Sequence, residues 1–287
     1  MKKFKITVGI TTYNRKNILK IFSILLSEQI GKNINVRIYD DHSSEYNEEF
    51  LREIFPYAKE ILRRDKNFKA DKNMYYMYKE FLKTEDDYLL QLDSDMLIGT
   101  NFFKNILMLC DEILREEGVY SLYNSNNHEN IIKNINKNVG DEIFYSKEHI
   151  GGACVLFSRE VIKKIIDNIE IKNQDYSNFD WRWSNYLVEN KIPIYVSKNS
   201  YVQHIGMGGQ NNLYIKNLDI GENFIGLESI EGANFLIKYY EYLIKEHKNF
   251  IKNLTISEYL KLRCKNNKYL YKIYKIFIKV LGVKIKK

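Results

Sequence analysis

Asp93 and Asp95 stand on either side of one small residue, Ser94, at the end of the apolar run Tyr88-Leu89-Leu90-Gln91-Leu92. Two carboxylates this close repel each other unless a cation sits between them. Hard divalent ions such as Mg2+ and Mn2+ take one or two carboxylates together with substrate phosphates. The D-S-D stretch is therefore expected to hold such a metal; the alternative is an acidic turn after a strand. Two other polar stretches follow apolar, β-branched runs in the same way. Thr11-Thr12-Tyr13-Asn14-Arg15 closes the run 5–11, and Asp40-Asp41-His42-Ser43 closes the run 35–39. Brought together, the three stretches would suit a nucleotide: a platform for the base, an acid for the ribose or base edge, and a metal site for a diphosphate.

The elements that must position these groups follow from periodicity. A short apolar run bounded by polar turns reads as a buried strand, and parallel strands covered on both faces need no alternation. Strands at 5–11, 35–39, 60–64 and 88–92 alternate with helices at 16–29, 47–55 and 71–84. Asn14 or Thr12 is the expected cap of the first helix, and Pro56 ends the second. This β-α-β-α-β-α-β order predicts an α/β fold with a mostly parallel central sheet flanked by helices. Ligands of such open sheets bind at the carboxyl ends of the strands, where all three polar turns fall. The second half predicts a helix at 101–117 stopped by Gly118, a strand at 120–123, an Asn-rich mobile loop at 124–138 and an edge strand at 142–145. A strand at 151–157, helices at 159–168 and 179–190, and short strands at 194–196 and 201–204 follow. From about residue 222 the chain reads as helical and aromatic.

Composition narrows the class. The chain has 287 residues, 45% of them hydrophobic, and a net charge of +7, which fits a globular protein and argues against disorder. No stretch reaches the roughly 18 consecutive apolar residues of a membrane helix. The basic N-terminus lacks a small-residue cleavage site and is not expected to be a signal peptide. Cys110, Cys154 and Cys264 are far apart and odd in number, as in a reducing cytoplasm, and have no zinc spacing. Abundant Lys, Asn, Ile and Tyr suggest an AT-rich, bacterial genome. Residues 261–287 hold ten Lys or Arg and no Asp or Glu. The glycine fingerprint of a dinucleotide fold is missing after the first strand, as is a P-loop. A nucleotidyltransferase would also need a glycine-rich basic loop where T-T-Y-N-R stands.

Strand-TTYNR, strand-DDHS and strand-LDSD, in this order and spacing, resemble the GT-A-fold, family 2 glycosyltransferases over residues 5–209. The resemblance implies transfer of a sugar from a nucleotide-diphosphate donor, UDP before others, to an acceptor hydroxyl with inversion, using Mn2+ or Mg2+. It implies that Thr11, Tyr13 and Arg15 belong to the nucleotide-binding turn, that Asp41 bonds the base, and that Asp40 is structural. Lys72-Asn73 is similar to the family's Arg-Asn, which follows an Asn-x-Gly turn; here Asn67-Phe68-Lys69 occupies that place without the glycine. Asp95 matches the acid that binds the metal directly, and Asp93 the first acid of the motif, with Ser94 between them at the donor. A hexosyl- or N-acetylhexosaminyltransferase of surface polysaccharide or glycoconjugate assembly is the implied activity. A non-catalytic relative that only binds sugar nucleotides is the alternative.

The resemblance also points to a base at a helix start in the second half, and Asp180 stands there in F-D-W. A carboxylate beside two indoles would be partly desolvated, which raises its pKa toward useful base strength. The competing reading is that Asp180 caps the helix, with Asp175 as the next candidate base. Gly151 and Gly152, with Trp181, are the expected acceptor contacts, glycine permitting close backbone approach; the plainer reading is an ordinary turn. His204, before Ile205-Gly206, matches a histidine that several GT-A enzymes place on the metal or diphosphate. The domain division is expected at 1–215, split into a nucleotide-sugar half (1–100) and an acceptor half (101–215), with a helical, basic extension at 216–287. Lysines interleaved with Tyr, Ile, Leu and Phe in that extension suit peripheral contact with an anionic membrane on its cytoplasmic face, as for a lipid-linked acceptor; sugar and protein acceptors remain open, and the other reading of the tail is a helix packed on the domain. No nucleic-acid partner is expected.

Overall fold

The computed structural model describes residues 4–31, 33–113, 118–125, 131–206 and 221–226, with Asn234 and Ile237. The chain divides into two compact units, Met1–Ala233 and Asn234–Lys287. Apart from Asn234 and Ile237, both helical, the second unit lies outside the described residues. So do the basic tail, Cys264, and the expected boundary at 215. The strands and helices with described bounds all belong to the first unit.

The N-terminal half forms as the periodicity predicts. β1 (Ile6–Thr12), α1 (Lys16–Ser27), β2 (Ile34–Asp40), α2 (Glu48–Ile54), β3 (Glu60–Arg63), α3 (Ala70–Leu82) and β4 (Tyr88–Asp93) follow in order. The second half adds β5 (Met96–Ile98), α4 (Phe102–Ile113), β6 (Val119–Ser121), β7 (Ile131–Val139), β8 (Glu142–Lys147), β9 (Cys154–Ser158), α5 (Arg159–Asn168), α6 (Phe179–Glu189), β10 (Ile194–Ser197) and β11 (Val202–His204).

Nine strands make one sheet in the order β3-β2-β1-β4-β9-β6-β10-β8-β7. β3, β2, β1 and β4 pair in parallel. β9 runs against both β4 and β6, β10 runs with β6, β8 against β10 and β7 against β8. Only β8 and β9 are therefore opposed to the rest, so the sheet is mostly parallel. Every residue of β4 from Tyr88 to Leu92 is buried, as expected of a strand with helices on both faces. On one face Met77, Tyr78 and Phe81 of α3 meet Val161 and Ile165 of α5 and Trp183 of α6 in a single core cluster. Among the described residues no helix is long and apolar enough to cross a membrane.

Three local expectations are corrected. Residues 131–139, read as part of a mobile loop, form β7; pairing with β8 outweighs their polar composition. The strand beginning at Glu142 is consequently interior, between β10 and β7, rather than an edge. The first helix is capped by neither Asn14 nor Thr12. Arg15 holds the N-cap position with left-handed φ 60°, ψ 47° and no side-chain cap. Asn14 Oδ1 instead accepts from the backbone N–H of Ser44 and Glu45, and Thr12 donates to Asp40. Both side chains tie the first turn to the second, a tertiary demand that outweighs local capping.

Candidate active site

The three turns meet because of strand register. Thr11 lies opposite both Tyr39 and Asp93, and Thr12 opposite Asp40. β1 therefore ends level with β2 and β4, and the chain order reverses at this point, with β2 on one side of β1 and β4 on the other. That is where an open α/β sheet leaves its ligand crevice.

In the second turn the two adjacent acids divide the work. Asp40 is fully buried; it accepts from Thr12 Oγ1 at 3.1 Å and from Ser43 N at 3.2 Å, and Arg63 lies 3.0 Å away. Its charge is spent on the fold, as expected. Asp41 accepts the backbone N–H of Phe68 at 2.6 Å, and burial pushes its carboxyl above the usual range despite that bond. The turn 67–69 thus packs on Asp41. Lys69 there adopts φ 66°, ψ 163°, a region that essentially only glycine occupies without cost. Beyond it Asn73 donates to Tyr39 O at 2.9 Å and accepts from Arg64 Nε at 2.8 Å, joining α3 to the ends of β2 and β3. Lys72 Nζ lies over the rings of Phe68, Tyr176 and Tyr76, at 4.5, 5.1 and 5.9 Å.

The third turn is knitted to a distant strand. β5 leaves Asp95 directly and pairs antiparallel with β11, so that His204 faces Met96, and Ile205 N donates to Asp95 O at 2.9 Å. Asp95 Oδ2 then lies 3.4 Å from His204 Nε2 and 2.6 Å from Arg15 Nη1. Arg15 Nη2 donates to Gly206 O at 2.7 Å. All three side chains keep an exposed part: 28% for Arg15, 20% for Asp95 and 15% for His204, so a ligand can reach them. Gly206 leaves room for these three ends: a Cβ there would overlap Asp95 Oδ2 and His204 Nε2 and lie 2.9 Å from Arg15 Nη1. Asp93 Oδ1 accepts from Thr11 Oγ1 at 2.8 Å. Burial, then the charge of Asp95, raises the Asp93 carboxyl. Burial would raise Asp95 as well, but the charges of His204 and Arg15 outweigh it and hold Asp95 below the usual range. The two acids are thus pushed apart in proton affinity, with the charge concentrated on Asp95.

This arrangement fits a divalent cation. A carboxylate oxygen and an imidazole nitrogen 3.4 Å apart can both ligate one ion, and Mn2+ accepts both donor types. Among the described residues no three His, Cys, Asp or Glu side chains converge. The remaining positions would fall to ligand oxygens, the usual division for such ions. Arg15 shares the Asp95 oxygen that a metal would use.

The residues expected to meet the acceptor have different surroundings. Of the two indoles expected beside Asp180, Trp183 is buried in the core, while Trp181 is 52% exposed and packs on His149. Asp180 is partly buried in the first turn of α6 and accepts its neighbour's N–H, Trp181 N, at 2.8 Å. Its charge is felt at Asp71 and at Tyr78. The cap of α6 comes from elsewhere: Asp71 accepts from Asn178 N at 3.1 Å and Phe179 N at 3.3 Å. Asp175 is fully exposed, and bonds from Ser177 hold its carboxyl below the usual range. The close approach at Gly152 is to the protein itself, since a Cβ would overlap Gln91 Nε2 and lie 2.8 Å from Met74 Cε. Gly151 faces open space. Gln91 joins the two sides, accepting from Tyr78 Oη at 2.6 Å and donating to Gly152 O. Tyr13 and Ser94 lie partly exposed within their turns.

Sequence reasoning missed Asp71, Gln91 and β5. A lone glutamine inside the apolar run 88–92 was a signal for Gln91. Nothing local distinguishes Asp71, whose partners lie 107 and 108 residues away.

No family model and no curated protein matches the chain. Solved structures do. Staphylococcus aureus TarS is similar with a TM-score of 0.51 at 17% identity, over 69% of this chain and 36% of that one. Its 1–349 portion is similar with a TM-score of 0.50 at 16% identity, over 69% of this chain and 60% of that one; the same portion in complex with UDP matches equally. The chain thus spans less than two thirds of either. The likeness is one of fold: a mixed, mostly parallel sheet flanked by helices, of GT-A type.

Proposed function

We propose that the chain is an inverting, metal-dependent glycosyltransferase that moves a hexosyl or N-acetylhexosaminyl group from a UDP-sugar to an acceptor hydroxyl. One observation carries this reading: the β5–β11 pairing gathers Asp95, His204 and Arg15, and register sets Asp93 beside Thr11, at the switch point of a GT-A-type sheet. The UDP bound by the similar TarS structure favours the same donor class.

In this reading Thr11, Tyr13 and Asp41 hold the base, and Lys72 and Arg15 meet the diphosphate as cations. Asp93 and Ser94 lie along the ribose and sugar. Asp95 and His204, with Asp93 beside them, would hold Mn2+ or Mg2+, which would neutralise charge on the departing diphosphate. Gly151, Gly152 and Trp181 line the acceptor side. Asp180 takes the proton of the acceptor hydroxyl as its oxygen bonds the anomeric carbon from the face opposite the diphosphate. The bond from that carbon to the diphosphate oxygen breaks, and the electron pair leaves with UDP. Replacing Asp95 by Ala removes the carboxylate that His204 and Arg15 share. Calorimetry should then show UDP affinity no longer responding to Mn2+; a variant that keeps the full Mn2+ response refutes the site. A non-catalytic sugar-nucleotide binder would pass that test yet release no UDP from any donor.

The basic tail extends the proposal to place. Ten cations without one acid, spaced among aromatic and aliphatic residues, would dock the enzyme on the cytoplasmic face of an anionic membrane, each contributing about 1 kcal/mol near the surface. This suits a lipid-linked acceptor of surface-polysaccharide assembly. The full chain should co-sediment with anionic vesicles at low salt, and a chain ending at Leu254 should not; equal partitioning of the two removes the membrane role.

A further inference from the structure

The first turn of α6, which carries Asp180, has no cap of its own. Asn178 occupies the N-cap position in a left-handed conformation, φ 52°, ψ 42°, and makes no side-chain cap bond. The first N–H groups of a helix lack intrahelical partners and must find acceptors elsewhere. Here one carboxylate supplies them from another helix, Asp71 taking Asn178 N with one oxygen and Phe179 N with the other. Asp71 itself sits in the first turn of α3, immediately before Lys72. The contact continues around it, with Lys72 over the ring of Tyr176 and Tyr75 packed on Tyr176 and Phe179. The start of α3 thus grips the segment leading into α6.

We propose that Asp71 is a positioning residue for the transfer reaction: it supplies the missing cap of α6 and thereby holds Asp180 at the acceptor hydroxyl, while Lys72 beside it engages the donor. The inference rests on Asp180 being the base, as proposed above. Burial raises the Asp71 carboxyl and the charge of Asp180 raises it further. The geometry ties the donor-side helix to the acceptor-side base through one side chain. A base displaced by a fraction of an ångström loses its alignment with the hydroxyl, and alignment of reacting groups carries a large part of such rate enhancements.

The test uses the full chain with Asp71→Ala, Asp71→Asn and Asp180→Asn, singly and with the Asp71 variants in the Asp180→Asn background. Amide hydrogen exchange at 178–179 should rise about 2- to 30-fold in Asp71→Ala, the scale of a lost cap, and less in Asp71→Asn, which keeps one acceptor oxygen. UDP release from a panel of UDP-hexoses and UDP-N-acetylhexosamines should fall about 10- to 100-fold in Asp71→Ala, with UDP affinity unchanged and partial recovery in Asp71→Asn. In the Asp180→Asn background, itself slowed by about two to four orders of magnitude, Asp71→Ala should add nothing, because the two act as one unit. Unchanged exchange at 178–179 overturns the cap. A loss that persists in full without Asp180 shows that Asp71 acts by another route. If Asp180→Asn transfers at the normal rate, the base assignment falls, and the exchange result still decides the cap on its own.

Discussion

Gly206→Ala separates the site from the fold. The added Cβ would overlap Asp95 Oδ2 and His204 Nε2 and crowd Arg15 Nη1. All three are the far ends of side chains, and no backbone atom is among them. The fold can therefore accommodate the methyl by rotating those ends outward, and thermal stability should change little. The site cannot, because its proposed metal and diphosphate contacts depend on the 3.4 Å approach of Asp95 to His204 and the 2.6 Å approach of Arg15 to Asp95. Overpacking by one methyl typically costs about 1–3 kcal/mol. If that cost is met only when the ligand draws the three ends together, UDP affinity in the presence of Mn2+ falls by about 5- to 150-fold, at about 1.4 kcal/mol per tenfold. The assay is calorimetric titration of UDP with and without Mn2+, alongside a melting curve of each protein. A variant that melts normally and binds UDP with Mn2+ as tightly as the parent refutes the convergence of Arg15, Asp95 and His204 on one ligand.

Two further outcomes rest on local chemistry. Lys69→Gly should stabilise the fold by up to about 2 kcal/mol, since glycine relieves the conformation that costs a lysine about 1–3 kcal/mol and gives back part of that gain through its larger unfolded-state entropy; a lowered melting temperature contradicts the strain. The raised carboxyl of Asp41 means that the folded state binds its proton more tightly than the unfolded chain does. Its contribution is then fully favourable below the ordinary carboxylate range and is lost as pH rises through the raised value. Asp41→Asn should melt higher than the parent at neutral pH, with the difference vanishing in acid, and should weaken UDP binding; a melting difference that is the same at every pH rules out the titration of Asp41 as its cause.

Much of the N-terminal half was legible because its information is local. Runs such as Ile6–Thr12 and Tyr88–Leu92 are apolar enough to be strands buried on both faces, and the helices between them alternate regularly, so a parallel sheet with its polar turns on one edge follows without coordinates. Where polar composition misled, at 131–139, the deciding interaction was pairing with β8, which backbone hydrogen bonds supply whatever the side chains are. Asn14 and Thr12 failed as caps for a related reason, since their oxygens serve Ser44, Glu45 and Asp40 across the gap between turns.

The sequence by itself determined the α/β class, the three polar strand ends and the residue types able to meet a nucleotide diphosphate, because each depends on spacing within a few residues. Only the tertiary structure decided which groups share one site. His204 reaches Asp95 through a strand pairing that joins residues more than a hundred positions apart, and Asp71 reaches α6 across a similar distance. No pattern in the chain encodes such contacts one by one. They are set when the sheet and its helices bury their apolar faces together, and the polar ends are carried to wherever that packing places them.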